Sequence, residues 1–300
     1  MNPLLEFAVK EMDGILRDRR TRLDSLHLAP DDVEELLDYT FQGAGGTPLG
    51  IDIFRTKNSD NSPLPVIIMI HGGGLVTGSR KTTRAFCENL AAKRFLVFVP
   101  DYRLATDTDV LTEIGDVYAA FSYVSDYLEG YGGDPDRVSV VSDSAGAFLA
   151  TYAVATTESD ALQEAFGLDE LPLRINALVC FSGMFYTNQR GPLGLFYADA
   201  LYGKKLTDPS FMQLMDPECP EVMGHLPPMF LVSSDADILK NYTKRYISAL
   251  REAEHPCEFL YYRGNRELDH AFPTMKPYLT ESQEVLEKLI DWLNQVDDEE

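Results

Sequence analysis

Seven short apolar runs, rich in β-branched residues, recur along the chain at Leu49 to Phe54, Val66 to Ile70, Phe95 to Val99, Val138 to Val141, Ala177 to Phe181, Met229 to Val232 and Phe259 to Tyr262. Between most of them lie segments of helical length: Thr82 to Arg94, Val110 to Leu128, Ala145 to Ala155 and Leu239 to Ala253, with Glu281 to Val296 closing the chain. A strand with no alternation of polar and apolar residues is buried on both faces. Strands that alternate with helices predict a mostly parallel sheet with helices on both faces, the α/β class. The chemistry of such a sheet gathers at the carboxyl ends of its strands. Three hundred residues, 45% of them hydrophobic, are enough for one α/β domain over 1–300.

Two segments break the alternation. One is the amphipathic N-terminus up to about Leu28, with Leu4, Leu5, Ala8, Met12, Ile15 and Leu16 at helical spacing. The other runs from Met184 to about Pro220 and carries Phe185, Tyr186, Phe196, Tyr197, Tyr202, Phe211, Met212 and Met215; it is too long for an ordinary connection. Its aromatic and methionine content predicts a lid that forms an apolar pocket over the active edge, the alternative being a further packed helical layer with no role in binding. The basic run Arg17 to Arg20 reads as a solvated helix face, and the acidic tail Asp297 to Glu300 as a solvated end.

Charge excludes one class of partner. Acidic residues outnumber basic ones 48 to 26, a net charge of -22, so nucleic acid is not an expected partner and anionic membrane surfaces are repelled. The N-terminal apolar residues are interrupted by charges, unlike a signal peptide, and no stretch is long enough to span a bilayer. Cys87, Cys180, Cys219 and Cys257 lack C-x-x-C spacing and read as reduced thiols, so the expected location is cytoplasmic and no metal site is expected.

The residues able to carry chemistry sit where strands end. Ser142-Asp143-Ser144-Ala145-Gly146 follows the fourth run and opens a helical segment, the layout of a nucleophile elbow G-x-S-x-G with serine in place of the first glycine. His71-Gly72-Gly73-Gly74 follows the second run; glycines there permit a tight turn that presents bare N–H groups to an oxyanion. A serine nucleophile needs a base and a carboxylate to orient it. Of the histidines His27, His71, His225, His255 and His270, His255 precedes its strand and so lies on the wrong edge, whereas His270 follows it. Asp235 and Asp237 both follow the strand ending at Val232, and each is equally readable as a helix N-cap. The order Ser, Asp, His is that of the α/β-hydrolases.

At this point the chain resembles the hormone-sensitive-lipase-like, HGGG-containing esterases of the α/β-hydrolase fold. The motifs run in family order from about Leu49 to Phe272: His71 to Gly74 with Gly78-Ser79, Asp101-Tyr102-Arg103-Leu104-Ala105, Gly133 to Arg137, Asp143 to Gly146, Asp237-Ile238-Leu239 and Asp269 to Phe272. The resemblance implies Ser144 as nucleophile, His270 as general base and then acid, Asp237 rather than Asp235 as its orienting acid, and Gly73, Gly74 and Ala145 as oxyanion donors. It places His71, Gly72, Leu75 and Asp143 at the substrate, and it implies a helical cap built from about 1–28 and 184–220. Departures are Ser142, Leu75, Ala147, Ala271 and the stretch Thr106 to Asp109, which surround the pocket and remove no reacting group. The expected activity is hydrolysis of small, short-acyl carboxylic esters through an acyl-enzyme, with no metal or organic cofactor. Deacetylase, amidase or formamidase activity would use the same triad, and a ligand-binding protein on an inactive scaffold is the rival of another class. The expected partner is a small-molecule ester, with no stable membrane association; a homodimer stays open.

Overall fold

The computed structural model describes residues 3–26, 30–57, 62–187, 198 and 201–298, so His27, the tail residues Glu299 and Glu300 and part of the aromatic segment (188–197, 199–200) lie outside the described residues. An eight-stranded sheet has the order β1-β2-β4-β3-β5-β6-β7-β8. The strands are β1 (Val33–Gln42), β2 (Pro48–Thr56), β3 (Leu64–Ile70), β4 (Leu96–Pro100), β5 (Gly133–Asp143), β6 (Ala177–Phe181), β7 (Met229–Ser234) and β8 (Cys257–Tyr262). From β4 through β8 all neighbours are parallel, while β1 and β2 are antiparallel additions at one edge. The central strands β4 and β6 are buried at every residue, as uninterrupted apolar runs require.

Two apolar layers flank the sheet. On one face α2 (Arg84–Ala92) and α6 (Thr280–Asp298) place Phe86, Leu90, Val285, Leu286, Leu289 and Leu293 against Ile67, Val97, Val179 and Phe230. On the other, α3 (Val110–Tyr127), α4 (Ala145–Glu158) and α5 (Lys240–Glu252) pack Phe121, Phe148, Tyr246 and Leu250 against Ile68, Phe98, Val140 and Leu231. Helix α4 is buried from Ala145 through Thr157, which fits its position at the middle of the sheet.

The sequence reading missed β1. A bulge between Leu36 and Tyr39, with Asp38 at φ 59°, breaks its alternation, and its middle faces solvent. The aromatic segment falls only in part within the described residues. There Phe185, Tyr186, Leu201, Tyr202, Phe211 and Met215 are buried in the sheet-side core, and Met184 reaches the cavity described below. Helix α1 (Pro3–Leu26) is the element that stands over that cavity. Among the described residues no helix is long and apolar enough to cross a membrane.

Candidate active site

Parallel strands bring their carboxyl ends to one edge, and the expected groups meet there. Ser144 lies between the end of β5 and the start of α4 at φ 51°, ψ −115°, a conformation that L-residues rarely adopt. The strained corner lifts its hydroxyl clear of strand and helix. Its own N–H is held by Phe181 O at 2.9 Å and its carbonyl by Met184 N at 2.8 Å. Gly146 has to be glycine: a methyl there would run into the carbonyl oxygens of Ile70 and His71. Position 142 is not so restricted. Ser142 is fully buried and donates to Val179 O at 2.8 Å, so the serine that replaces the expected glycine ties the elbow to β6.

His270 Nε2 lies 2.7 Å from Ser144 Oγ, and its Nδ1 lies 2.7 Å from Asp237 Oδ1. A carboxylate only accepts, so Nδ1 carries the hydrogen in the neutral ring and Nε2 is left as the acceptor for the serine proton. Asp237 is 2% exposed; its Oδ1 also accepts from Leu239 N at 2.9 Å and its Oδ2 from Ser233 Oγ at 2.7 Å. Burial alone would raise its pKa, but the hydrogen bond and charge of His270, with those two donors, hold the carboxyl below its ordinary value. Asp235 is turned away, bonded to Tyr261 Oη at 2.8 Å and Gly264 N at 3.2 Å. The structure thus separates two aspartates that the sequence left equivalent, and neither caps the following helix, whose N-cap position is Leu239 without a side-chain cap bond.

The glycine loop stands opposite. Gly73 at φ 135° and Gly74 at φ 63° occupy backbone regions that favour glycine. Their N–H groups make no hydrogen bond to another described residue, and the N–H of Ala145, at the first position of α4, has no intrahelical acceptor. His71 is 1% exposed and outside the cavity wall; its ring stacks on Tyr102 with centroids 4.3 Å apart. Its Nδ1 lies 2.8 Å from Gly72 O and must donate to that carbonyl. Tyr102 Oη donates to His71 O at 2.8 Å. Burial pushes the His71 pKa down. Leu75 is fully buried in the core, so of His71, Gly72, Leu75 and Asp143, the four residues expected at the substrate, only Gly72 and Asp143 line the cavity.

That cavity, about 360 Å³, is lined by Ser144, His270, Gly73 and Gly74 together with apolar side chains. Met12, Ile15 and Leu16 come from α1, and Ile238 and Leu239 from the turn after Asp237. Arg19 also lines it and pairs with Asp269 at 3.1 Å, so this member of the basic run is more than a solvated face. The N-terminal helical pattern was visible in the sequence; which strand end it would cover was not. Ala271, where the resemblance expected glycine, sits at φ 55° with its N–H on Ser182 Oγ at 3.0 Å, which fixes the turn carrying His270. Cys87, Cys180 and Cys219 are buried and Cys257 partly so, all four as free thiols. Among the described residues no group of three or more His, Cys, Asp or Glu is arranged to hold a metal ion.

Comparison with known proteins gives the following. A model of the family described as alpha/beta hydrolase fold matches residues 67–274, in keeping with the motifs read above. A probable isoprenylcysteine alpha-carbonyl methylesterase of Arabidopsis thaliana is 23% identical over 230 residues, covering 73% of this chain and 48% of the relative. Esterase LipI of Mycobacterium tuberculosis is 33% identical over 147 residues, 48% of this chain and 45% of the relative. The chain thus spans about half the length of the curated relatives it matches. Among solved structures, a phosphonate-inhibited esterase B of Lactobacillus rhamnosis superposes with a TM-score of 0.90 at 22% identity, covering 100% of this chain and 97% of the other. A bacterial heroin esterase gives 0.71 at 22% identity, covering 94% and 91%. At these identities the two structures establish a common fold.

Proposed function

This chain belongs to the alpha/beta hydrolase fold family, and on that premise we propose that it is a serine hydrolase of small carboxylic esters working through an acyl-enzyme. The observation that carries the reading is the unbroken relay from Ser144 Oγ to His270 Nε2 and from His270 Nδ1 to Asp237 Oδ1, each step 2.7 Å, opening on one cavity. The esterase names of the relatives and structural neighbours point the same way.

Ser144 Oγ attacks the ester carbonyl as its proton passes to His270 Nε2. Asp237, kept ionised by its three donors, stabilises the imidazolium without taking the proton itself. The negative charge that develops on the carbonyl oxygen is met by the N–H groups of Gly73, Gly74 and Ala145. His270 then gives its proton to the leaving alkoxide, the acyl group stays on Ser144, and water repeats the sequence to release the acid. A cavity of about 360 Å³ is at the small end for ligand sites. With walls of Met, Ile and Leu it favours short, uncharged acyl groups.

Replacing Ser144 by Ala is expected to lower turnover of a short-chain nitrophenyl ester by about 10⁴-fold or more. A fluorophosphonate probe is expected to label the unmodified protein and not this variant. A wild-type chain that neither turns over esters nor takes the probe would refute the proposal.

A further inference from the structure

Asp143 is fully buried directly beside the nucleophile, with each carboxylate oxygen occupied by a donor from a different catalytic loop. Oδ1 accepts from Gly72 N at 2.5 Å, and Oδ2 accepts from Thr274 Oγ1 at 2.6 Å. Gly72 belongs to the oxyanion loop. Thr274 lies in the short helix Phe272–Met275 that follows His270. No substrate group is needed to explain this side chain, although it borders the cavity.

The two bonds act on parts that have to hold register with Ser144. Residue 72 is pinned at both polar atoms, its N–H by Asp143 and its carbonyl by His71 Nδ1 at 2.8 Å. Because the Gly72–Gly73 peptide is planar and trans, fixing that carbonyl fixes the direction of the Gly73 N–H. The loop also packs tightly here: a Cβ at position 72 would stand 2.9 Å from Asp143 O and 3.0 Å from Ser144 Cβ. On the other side, the Thr274 hydroxyl lies 3.1 Å from Ala271 O as well, so Asp143 reaches the turn that carries His270.

We propose that Asp143 is a positioning residue whose carboxylate joins the oxyanion loop to the histidine turn across the nucleophile elbow, setting the Gly73 N–H and His270 at a fixed spacing from Ser144. As a statement about catalysis it rests on the esterase reading; as a statement about loop order it does not. Burial raises the Asp143 pKa against the opposing effect of its two donors.

Asparagine separates this role from one played by charge. In Asp143→Asn the amide oxygen keeps the Gly72 N–H, and the amide nitrogen donates to Thr274 Oγ1, whose hydrogen turns to Ala271 O. The joint survives without the charge. Asp143→Ala loses both arms, and Thr274→Val loses one.

The test is kinetics on a nitrophenyl ester together with hydrogen exchange measured on peptides spanning 71–75 and 268–276. Asp143→Ala is expected to lose about 10²-fold in kcat with KM nearly unchanged, the size of effect an ångström-scale misplacement produces, and to exchange faster in both peptides. Thr274→Val is expected to loosen the 268–276 peptide with a smaller loss, and serves as the test if Asp143→Ala fails to fold. Asp143→Asn is expected to recover kcat to within about tenfold of wild type. Unchanged exchange in the variants that lose the joint, or an Asp143→Asn variant as impaired as Asp143→Ala with normal exchange, would overturn the proposal. A wild-type protein without ester turnover would instead remove the esterase reading and leave the exchange result to decide the joint.

Discussion

Replacing Asp237 by Asn is the perturbation whose size the structure sets most closely. Three donors meet this carboxylate: His270 Nδ1 at 2.7 Å and Leu239 N at 2.9 Å on Oδ1, and Ser233 Oγ at 2.7 Å on Oδ2. An asparagine has to aim its NH₂ at one side. Facing Oδ1 it would confront the Leu239 N–H, which cannot accept, and would drive His270 into the Nε2–H tautomer; facing Oδ2 it meets a hydroxyl that can reverse from donor to acceptor. The amide oxygen therefore stays on His270, the ring keeps its Nδ1–H tautomer, and Nε2 stays free for the serine proton. What is lost is charge. A bond to an ionised group contributes about 1.5–3 kcal/mol against about 0.5–1.5 for a neutral one, and the part-buried imidazolium loses its counter-charge in addition. A total near 3 kcal/mol corresponds to about 10²-fold in kcat/KM. Triads in which the amide forces the wrong tautomer lose about 10⁴-fold. The assay is kcat/KM for a short-chain nitrophenyl ester with Asp237→Asn, Asp237→Ala and Asp235→Asn side by side. A loss of about 10⁴-fold or more in Asp237→Asn, equal to that of Asp237→Ala, would show that the nitrogen faces His270 and that the Ser233 argument is wrong. A larger effect at Asp235 than at Asp237 would remove the assignment of the acid.

Ser142→Gly removes the bond to Val179 O and adds backbone freedom inside a strand, so a loss of about 1–2 kcal/mol in unfolding free energy is expected, with catalytic activity retained; chemical denaturation and the ester assay check both parts, and a folded but inactive variant would contradict the elbow geometry. Arg19→Ala breaks the α1 tie to Asp269, both partners of which are about a third exposed. Lys276 still reaches Asp269 at 3.2 Å, so stability is expected to change by less than about 1 kcal/mol. KM is expected to rise while kcat holds, because α1 supplies cavity wall; a fall in kcat at constant KM would exclude that role. Burial, with Glu35 close by, pushes Glu88 up to about 7 from 4.5. A raised carboxyl binds its proton more tightly in the folded state, so stability should fall as pH rises from about 4.5 to about 7. Glu88→Gln is expected to flatten that part of a Tm–pH profile, and an unchanged slope would assign it elsewhere.

Much of the site was legible because each reacting group follows a strand that the hydrophobic pattern already marks. Once the strands are parallel, Ser144, Asp237 and His270 must share an edge, and Gly73 and Gly74 announce a turn that few other residues can make. The weak places in the reading have physical causes. β1 escaped detection because an edge strand needs no continuous apolar run, and a bulge erased its period. The aromatic segment stayed open between a lid and a packed layer because aromatic and methionine side chains serve a core and a pocket wall equally well; its described part is buried in the core except for Met184 at the cavity.

The sequence by itself determined the class of fold and the sheet edge to which Ser144, the two aspartates and His270 come, because these follow from local periodicity and chain order. Only the tertiary structure decided that Asp237 meets His270 while Asp235 turns to Tyr261, that Met12, Ile15 and Leu16 of α1 line the cavity, and that the buried Asp143 accepts from both Gly72 and Thr274. Each of those outcomes depends on which donors come within hydrogen-bond reach of a given oxygen. Partners 33, 71 or 131 positions apart along the chain leave no local pattern to read.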